Sequence, residues 1–348
     1  MRAAVVEELG KIVVKEIENP KLISNSLLVK VESCAICGSD LRIYKKGDKR
    51  ARLPQVIGHE IAGMIEDVGR EVPGFSVGDR VAIAPGHGCG KCYYCQRGIG
   101  NLCLNPTPPI GYASPGGFAQ YIVPPPTVVS QGFVNKIPEG LTFDKATIAE
   151  LLACCLNGQE VAGVREGDIV LVIGAGPAGC MHVELARIKG AKKIILAQRS
   201  HHRFEMAKKF RADIFINPNE EDLKERVMAE TDGRGADVII VACASGKAQE
   251  EALQMVAPRG RINFFGGLPH SDSKITIDAN IVHYKECFLT GASSSTGRHN
   301  KEALKLLANG SIKAEGFISH ILPLGDIVEG FNLVENRQAM KVVIKPWE

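Results

Sequence analysis

The sequence predicts an α/β protein in two parts, a β-rich unit followed by a doubly wound parallel sheet. Three observations predict it. Short β-branched runs broken by glycine and proline fill residues 1–150. From Leu151 onward, apolar strand-like runs alternate with helix-like segments. The first of those runs ends in a glycine-rich turn that opens a helix. Alternation of this kind implies right-handed crossovers and parallel strands.

In the first part, the runs 27–31 (LLVKV), 56–69 (VIGHEIAGMIEDVG) and 79–85 (DRVAIAP) are read as strands of a barrel-like unit. The stretches 108–117 and 124–126 are turn-rich loops rather than linkers. The second part, 151–290, reads as strand 169–174, helix 177–190, strand 192–198, helix 203–212 and strand 214–218. Helix 220–233, strand 236–243, helix 247–257 and strand 261–267 follow. The tail, 291–348, reads as one helix (299–310) and short strands ending at 341–346, and is expected to return to the first domain.

Composition bounds the function. The 348 residues carry a net charge of +3, too mild to argue for nucleic acid or a membrane surface. No apolar run reaches the roughly 18 residues of a membrane helix. The opening segment has charges every few residues, unlike a secretory signal, so a cytoplasmic location is expected. Eleven cysteines, an odd count with no export signal, point to metal ligation rather than to a disulfide framework.

Gly174-Ala175-Gly176-Pro177-Ala178-Gly179 is a G-x-G-x-x-G loop in the strand-to-helix context that dinucleotide binding requires. Gly174 permits the tight turn, Gly176 lets backbone approach a pyrophosphate, and Gly179 allows close helix packing. An acid about 20 residues further on would hold the ribose of NAD. Here the second strand ends in Gln198, followed by Arg199, Ser200 and Arg203. Loss of the carboxylate and gain of guanidinium groups favour NADP, with NAD held by neutral contacts as the alternative.

Two constellations can hold metal. Cys89, Cys92, Cys95 and Cys103 give C-x2-C-x2-C-x7-C, enough thiolates to close a tetrahedral zinc shell and leave no open position. An iron–sulfur cluster uses similar ligands. Cys37, His59, Glu60 and Glu150 are a looser mixed set, suited to a catalytic zinc that keeps one exchangeable position. Taken singly, His59 and Cys37 also suit a satisfied core.

The stretch Gly58-His59-Glu60-Ile61-Ala62-Gly63 with Gly69 and Val72, the CGSD at 37–40, the four-cysteine loop and the glycine loop come in a characteristic order. In this combination the chain resembles the zinc-containing medium-chain alcohol dehydrogenases, nearest their bacterial secondary-alcohol, polyol and threonine branch. The resemblance implies a GroES-like catalytic domain, a Rossmann domain and an active site between them. It implies one catalytic and one structural zinc, with Cys37 and His59 as catalytic ligands. Glu60 and Glu150 match the two positions where the family places a carboxylate. Ser39 matches the hydroxyl that passes the substrate proton outward. The substrate is expected to be a small secondary alcohol or polyol, possibly phosphorylated, and the assembly a homodimer or homotetramer pairing along strand 286–290. A threonine-dehydrogenase-like activity is the second expectation, and a zinc-independent quinone or enoyl reductase of the same superfamily the third.

Two departures stand out. Arg42 replaces the relay histidine three residues after Ser39, and a guanidinium does not release its proton at working pH. The arginine–tyrosine pair of sorbitol-type relatives is absent from Gly291–Thr296. The basic run 45–52 is either a cleft wall for an anionic substrate or a solvated loop.

Overall fold

The structure, a computed structural model, describes the backbone of residues 1–348 and every side chain except that of His270. The chain divides into two compact units, Met1–Ala153 with Ser295–Glu348, and Cys154–Ser294.

Strands of the first unit are β1 (Arg2–Glu8), β2 (Lys11–Glu16), β3 (Leu27–Ala35), β4 (Gln55–Val56), β5 (Glu60–Val68), β6 (Arg80–Ile83), β7 (Tyr121–Ile122) and β8 (Val134–Lys136). Those of the second are β9 (Ile169–Ile173), β10 (Lys193–Ala197), β11 (Ile214–Ile216), β12 (Ala236–Val241), β13 (Val256–Phe264) and β14 (Phe288–Gly291). The tail adds β15 (Ile318–Pro323) and β16 (Lys341–Lys345) to the first unit. The helices used below are α1 (Gly38–Lys46), α2 (Ala149–Ala162), α3 (Pro177–Ile188), α4 (His201–Ala207), α5 (Leu223–Glu230) and α6 (Gly246–Met255).

In the first unit β2, β1 and β4 form a small sheet, and the larger one runs β15-β16-β3-β5-β6-β8. Strand β3 reads LLVKVESCA with inward positions alternating down to a fully buried end, as one wet face and one core face require. It pairs antiparallel with β5, Ala35 facing Glu60, and with β16, Val343 facing Ala35. This register gathers three distant segments at one strand end.

The second unit is a six-stranded parallel sheet ordered β11-β10-β9-β12-β13-β14. Strand β9, IVLVI, is buried at every position because helices cover both faces. Each such side chain removed from water contributes about 1.5–3 kcal/mol. The order reverses beside β9, the switch point where doubly wound sheets bind ligands at their carboxyl ends.

Some boundaries differ from the sequence expectation. The helix expected over 247–257 ends at Met255, where the chain extends directly into β13. The helix expected over 203–212 is α4, which starts at His201 and stops at Ala207. Ser200 caps it, accepting from the Arg203 amide at 3.5 Å. The N-terminal hairpin β1–β2 was not anticipated, because its many charges lie on an exposed face over a buried run at Ala3–Val6.

Candidate metal centres and cofactor loop

The mixed metal cluster is built at the end of β3. Cys37 precedes helix α1, and its amide donates to Asp40 Oδ2 at 2.8 Å. Asp40 Oδ1 lies 3.0 Å from His59 Nδ1, inside a fully buried pair. A carboxylate in that position keeps the proton on Nδ1 and leaves Nε2 as the donor for a metal. Burial opposes the charged imidazole, but the Asp40 carboxylate outweighs it and holds His59 well above its ordinary pKa. Ser39 Oγ stands 3.4 Å from His59 Nε2.

The glycines around His59 have steric causes. A Cβ on Gly58 would stand 2.9 Å from both Cys34 Sγ and a Phe118 ring carbon, at φ +98°. A Cβ on Gly63 would stand 2.2 Å from the Lys30 carbonyl of β3. The G-H-E-x-x-G spacing is thus what lets β5 lie close on β3 and present His59 and Glu60 beside Cys37.

One ligand atom each from Cys37, His59 and Glu60 lies within 4.8 Å of the others. Glu150, at the start of α2, is buried but is not in that group. The sequence did not reveal Lys341. This residue of β16 is 2% exposed, and its ammonium contacts both oxygens of Glu60, itself 0% exposed. Burial disfavours the charged ammonium, yet Glu60 first, then Cys37 and Glu150 among others, raise its pKa above the ordinary value. Lys341 pairs with Glu60, and beside that pair stand the Cys37 sulfur and a His59 ring nitrogen. The donor set fits a dication with soft and hard ligands.

Tyr112 flanks the cluster, its ring 5.5 Å from that of His59, and burial is the main cause of its raised pKa. Arg50 lies over Tyr112 at 4.3 Å and chelates Asp48 at 2.9 and 2.8 Å. Arg42 reaches the same Asp48 at 3.1 Å, while Lys45 pairs with Glu335 at 3.1 Å. Within the basic run Lys45 and Arg50 are therefore engaged locally, and Arg42 before it is tied to a carboxylate.

The four-cysteine loop forms the second cluster. Cys89 Sγ and Cys95 Sγ are 4.0 Å apart, Cys92 and Cys103 sulfurs 3.7 Å. Backbone amides of Cys95 and Leu104 bring the Cys92 thiol down to about 6. Burial, with neighbouring thiols, pushes Cys103 up to about 12. Four sulfurs so close do not all ionise alone, and a bound zinc would allow it.

In the second unit, Gly174 adopts φ +104° after β9. A Cβ on Gly179 would lie 1.8 Å from the Gly174 carbonyl, so α3 cannot pack on the turn with a side chain there. A Cβ on Gly176 would meet nothing within 4 Å. The protein itself does not need a glycine at 176, and the open space beside the first turn of α3 fits an approaching pyrophosphate. The Gln198 side chain does not project freely at the ribose position. Its Oε1 accepts from the Ala175 amide at 2.8 Å and ties β10 to the loop. Arg203 is 8% exposed, whereas the Arg199 side chain is 53% exposed and 3.7 Å from Glu251.

A parallel sheet with this loop, joined to a unit holding two metal-ligand clusters, defines a metal-dependent dinucleotide oxidoreductase. Residues 24–138 match the alcohol dehydrogenase GroES-like domain and residues 177–309 the zinc-binding dehydrogenase domain. L-threonine 3-dehydrogenase of Pyrococcus horikoshii is 37% identical over 337 residues, covering 94% of this chain and 93% of that protein. Sorbitol dehydrogenase of Bacillus subtilis is 31% identical over 355 residues, covering 99% and 97%. A zinc-binding dehydrogenase of Sinorhizobium meliloti 1021, solved bound to NADP, superposes with a TM-score of 0.91 at 29% identity, covering 99% of each chain. The chain belongs to the zinc-containing medium-chain alcohol dehydrogenase family. It is an NAD(P)-dependent, zinc-dependent oxidoreductase of alcohols or polyols.

Proposed function

We propose that the protein transfers hydride between a secondary alcohol or polyol and NADP(H). The observation that carries this reading is the group of half-buried Cys37 with buried His59 and Glu60, ordered by Asp40 on one side and Lys341 on the other. When bound, zinc supplies Lewis acidity toward the substrate oxygen, and the nicotinamide supplies the hydride acceptor. Cys37 and His59 would hold that zinc, with Glu60 or Glu150 as the carboxylate. Cys89, Cys92, Cys95 and Cys103 would hold the structural one.

The other steps belong to the chain's own groups. Asp40 fixes the His59 tautomer and aims Nε2. The Ser39 hydroxyl, beside His59 Nε2, takes the substrate proton and hands it outward. Arg42 has no part in that relay, since its guanidinium stays charged and paired with Asp48. Gly174, Gly176, Pro177 and Gly179 would seat the pyrophosphate, with Arg199 facing the ribose phosphate. Ser200 and Arg203 support from behind, the one as a helix cap and the other as a buried cation.

A second reading, oxidation of the threonine side-chain hydroxyl, draws on the 37% identity to the archaeal threonine dehydrogenase. It needs a carboxylate anchor, for which Arg50, stacked over the Tyr112 ring that flanks His59, is the candidate. Two finer parts complete the proposal. The chain assembles with its own copies through β14, and it works in the cytoplasm, a location supported by eleven cysteines of which none is in a disulfide among the described residues. No helix among the described residues is long and apolar enough to cross a membrane.

Elemental analysis paired with a reduction screen tests the reading. The screen covers secondary alcohols, polyols, phosphorylated polyols and threonine, each with NAD and NADP. Two zincs per chain and one reacting alcohol class are expected. Zinc at the four-cysteine loop alone, with no alcohol-dependent reduction, would overturn it.

A further inference from the structure

Helix α6 carries charges that the cofactor reading above leaves unused. A cavity of about 310 Å³ lies between the β10 end and α6, with Arg199, Lys224, Lys247, Glu221, Asp222 and Glu251 on its wall. Two of the acids have other tasks. Asp222 caps α5, accepting from the Glu225 amide at 2.8 Å, and Glu221 pairs with Arg226 at 3.4 Å. Glu251 is shared by two cations, with Arg199 Nη2 at 3.7 Å and Lys247 Nζ at 3.5 Å.

This cavity adjoins the glycine loop. Arg199 follows Gln198, whose side chain accepts from the Ala175 amide. Burial raises the Cys243 thiol while the charge of Arg199 opposes that rise, so the guanidinium lies near Cys243. Cys243 Cβ in turn stands 3.1 Å from where a Cβ on Gly174 would be. A 2′-phosphate held beside the loop would therefore have both Arg199 and Lys247 in the cavity wall next to it.

We infer that Lys247 is a second cation for the 2′-phosphate of NADP, and that Glu251 is a displaceable counter-anion that sets how strongly NADP is preferred over NAD. The inference rests on the NADP reading above and adds two residues to it. Exposed ion pairs at 3.5–3.7 Å contribute little, so giving them up costs little. A phosphate monoester carries about −1.5 to −2 charges and competes well against one carboxylate for the same cations. Without that phosphate, Glu251 stays and offsets one of the two positive charges of Arg199 and Lys247 beside a ribose diol, so NAD is tolerated.

The test uses 2′-phospho-ADP-ribose and ADP-ribose as probes, titrated calorimetrically into the zinc-loaded protein. Neither probe can be turned over. Lys247→Gln is expected to weaken the phosphorylated probe about 10-fold and leave the other within about 2-fold. Glu251→Gln is expected to tighten the phosphorylated probe by about 3- to 10-fold, the opposite sign. Unchanged selectivity in Lys247→Gln, or weaker phosphate binding in Glu251→Gln, overturns the inference. Arg199→Ala separates it from its foundation. If only Arg199→Ala loses selectivity, the NADP reading stands and the roles of Lys247 and Glu251 fall. If the unaltered protein binds both probes equally, both readings fall.

Discussion

At the scale of single residues, the site is a balance of buried charges. Lys341 and Glu60 sit 281 positions apart in the chain and touch only because β16 returns beside β3. Removing one partner of such a pair leaves an uncompensated charge and costs about 3–5 kcal/mol. Lys341→Met is therefore expected to lower the melting temperature, and more so after zinc is stripped, because a dication beside Glu60 replaces part of the lost charge. Thermal unfolding with and without chelator measures this, and an equal loss in both states would refute a shared charge balance. His182 makes a second residue-scale case. It is fully buried on α3, neither ring nitrogen has a hydrogen-bond partner, and it packs edge-on against Phe265 at 4.5 Å. Burial holds its pKa down to about 3. The unfolded chain takes up this proton below about pH 6.5 while the folded chain does not, so stability present above pH 6.5 is lost as pH falls toward 3. At pH 5 the loss relative to pH 7 is about 2 kcal/mol. Denaturant unfolding across pH 4.5–7.5 should show His182→Leu with a flatter acid limb and undiminished stability at pH 7. A limb as steep as that of the unaltered chain would show that another group titrates. The sequence singled out Cys37, His59 and Glu60 because metal ligands keep recognisable neighbours in the chain. It passed over Asp40, which stood in plain view in CGSD, because its role depends on a histidine 19 residues away. Lys341 carried no local signal at all.

At the scale of elements, the glycine loop separates what folding needs from what a ligand needs. The strand–loop–helix unit was legible because the buried run of β9, the loop and the proline at the first turn of α3 are all local features. The short first-unit strands were less so, since β4 and β7 span two residues each and exist only through their partners. Within the loop, Gly179 and Gly176 make opposite predictions. Gly179→Ala drives a methyl into the Gly174 carbonyl, 1.8 Å away, so α3 must move and the melting temperature must fall. Gly176 has φ −72° and ψ 179°, which alanine adopts without strain, and no neighbour within 4 Å. Gly176→Ala is therefore expected to melt with the unaltered protein yet bind the dinucleotide at least about 10-fold more weakly, because the methyl occupies the space for the pyrophosphate. Melting curves and a cofactor titration on the two variants decide this. Unchanged affinity in Gly176→Ala would place the pyrophosphate elsewhere.

At the scale of the whole molecule, the alternation of strands and helices announced the parallel sheet, while its edge at 286–290 was expected only through the family resemblance. Which strand stands at an edge depends on crossovers, and β14 is the edge because its pairing partner is β13 alone among the described residues. An open edge offers unpaired amides and carbonyls to another chain. On this one Phe288 is 54% exposed and Leu289 37%, with Tyr284 of the preceding helix at 79%. Three large apolar side chains at a bare strand edge form a patch that a monomer would ordinarily guard with charge. A second copy related by a two-fold axis would pair β14 with itself in antiparallel fashion and cover the same residues on both sides. The double variant Phe288→Lys, Leu289→Lys places four like charges across that contact without touching either metal cluster or the glycine loop. Light scattering after gel filtration should then read a dimer or tetramer for the unaltered protein and a species of half its mass for the variant, with cofactor binding retained. A variant that keeps its mass would move the interface away from β14, and an unaltered protein that is already monomeric would remove it altogether.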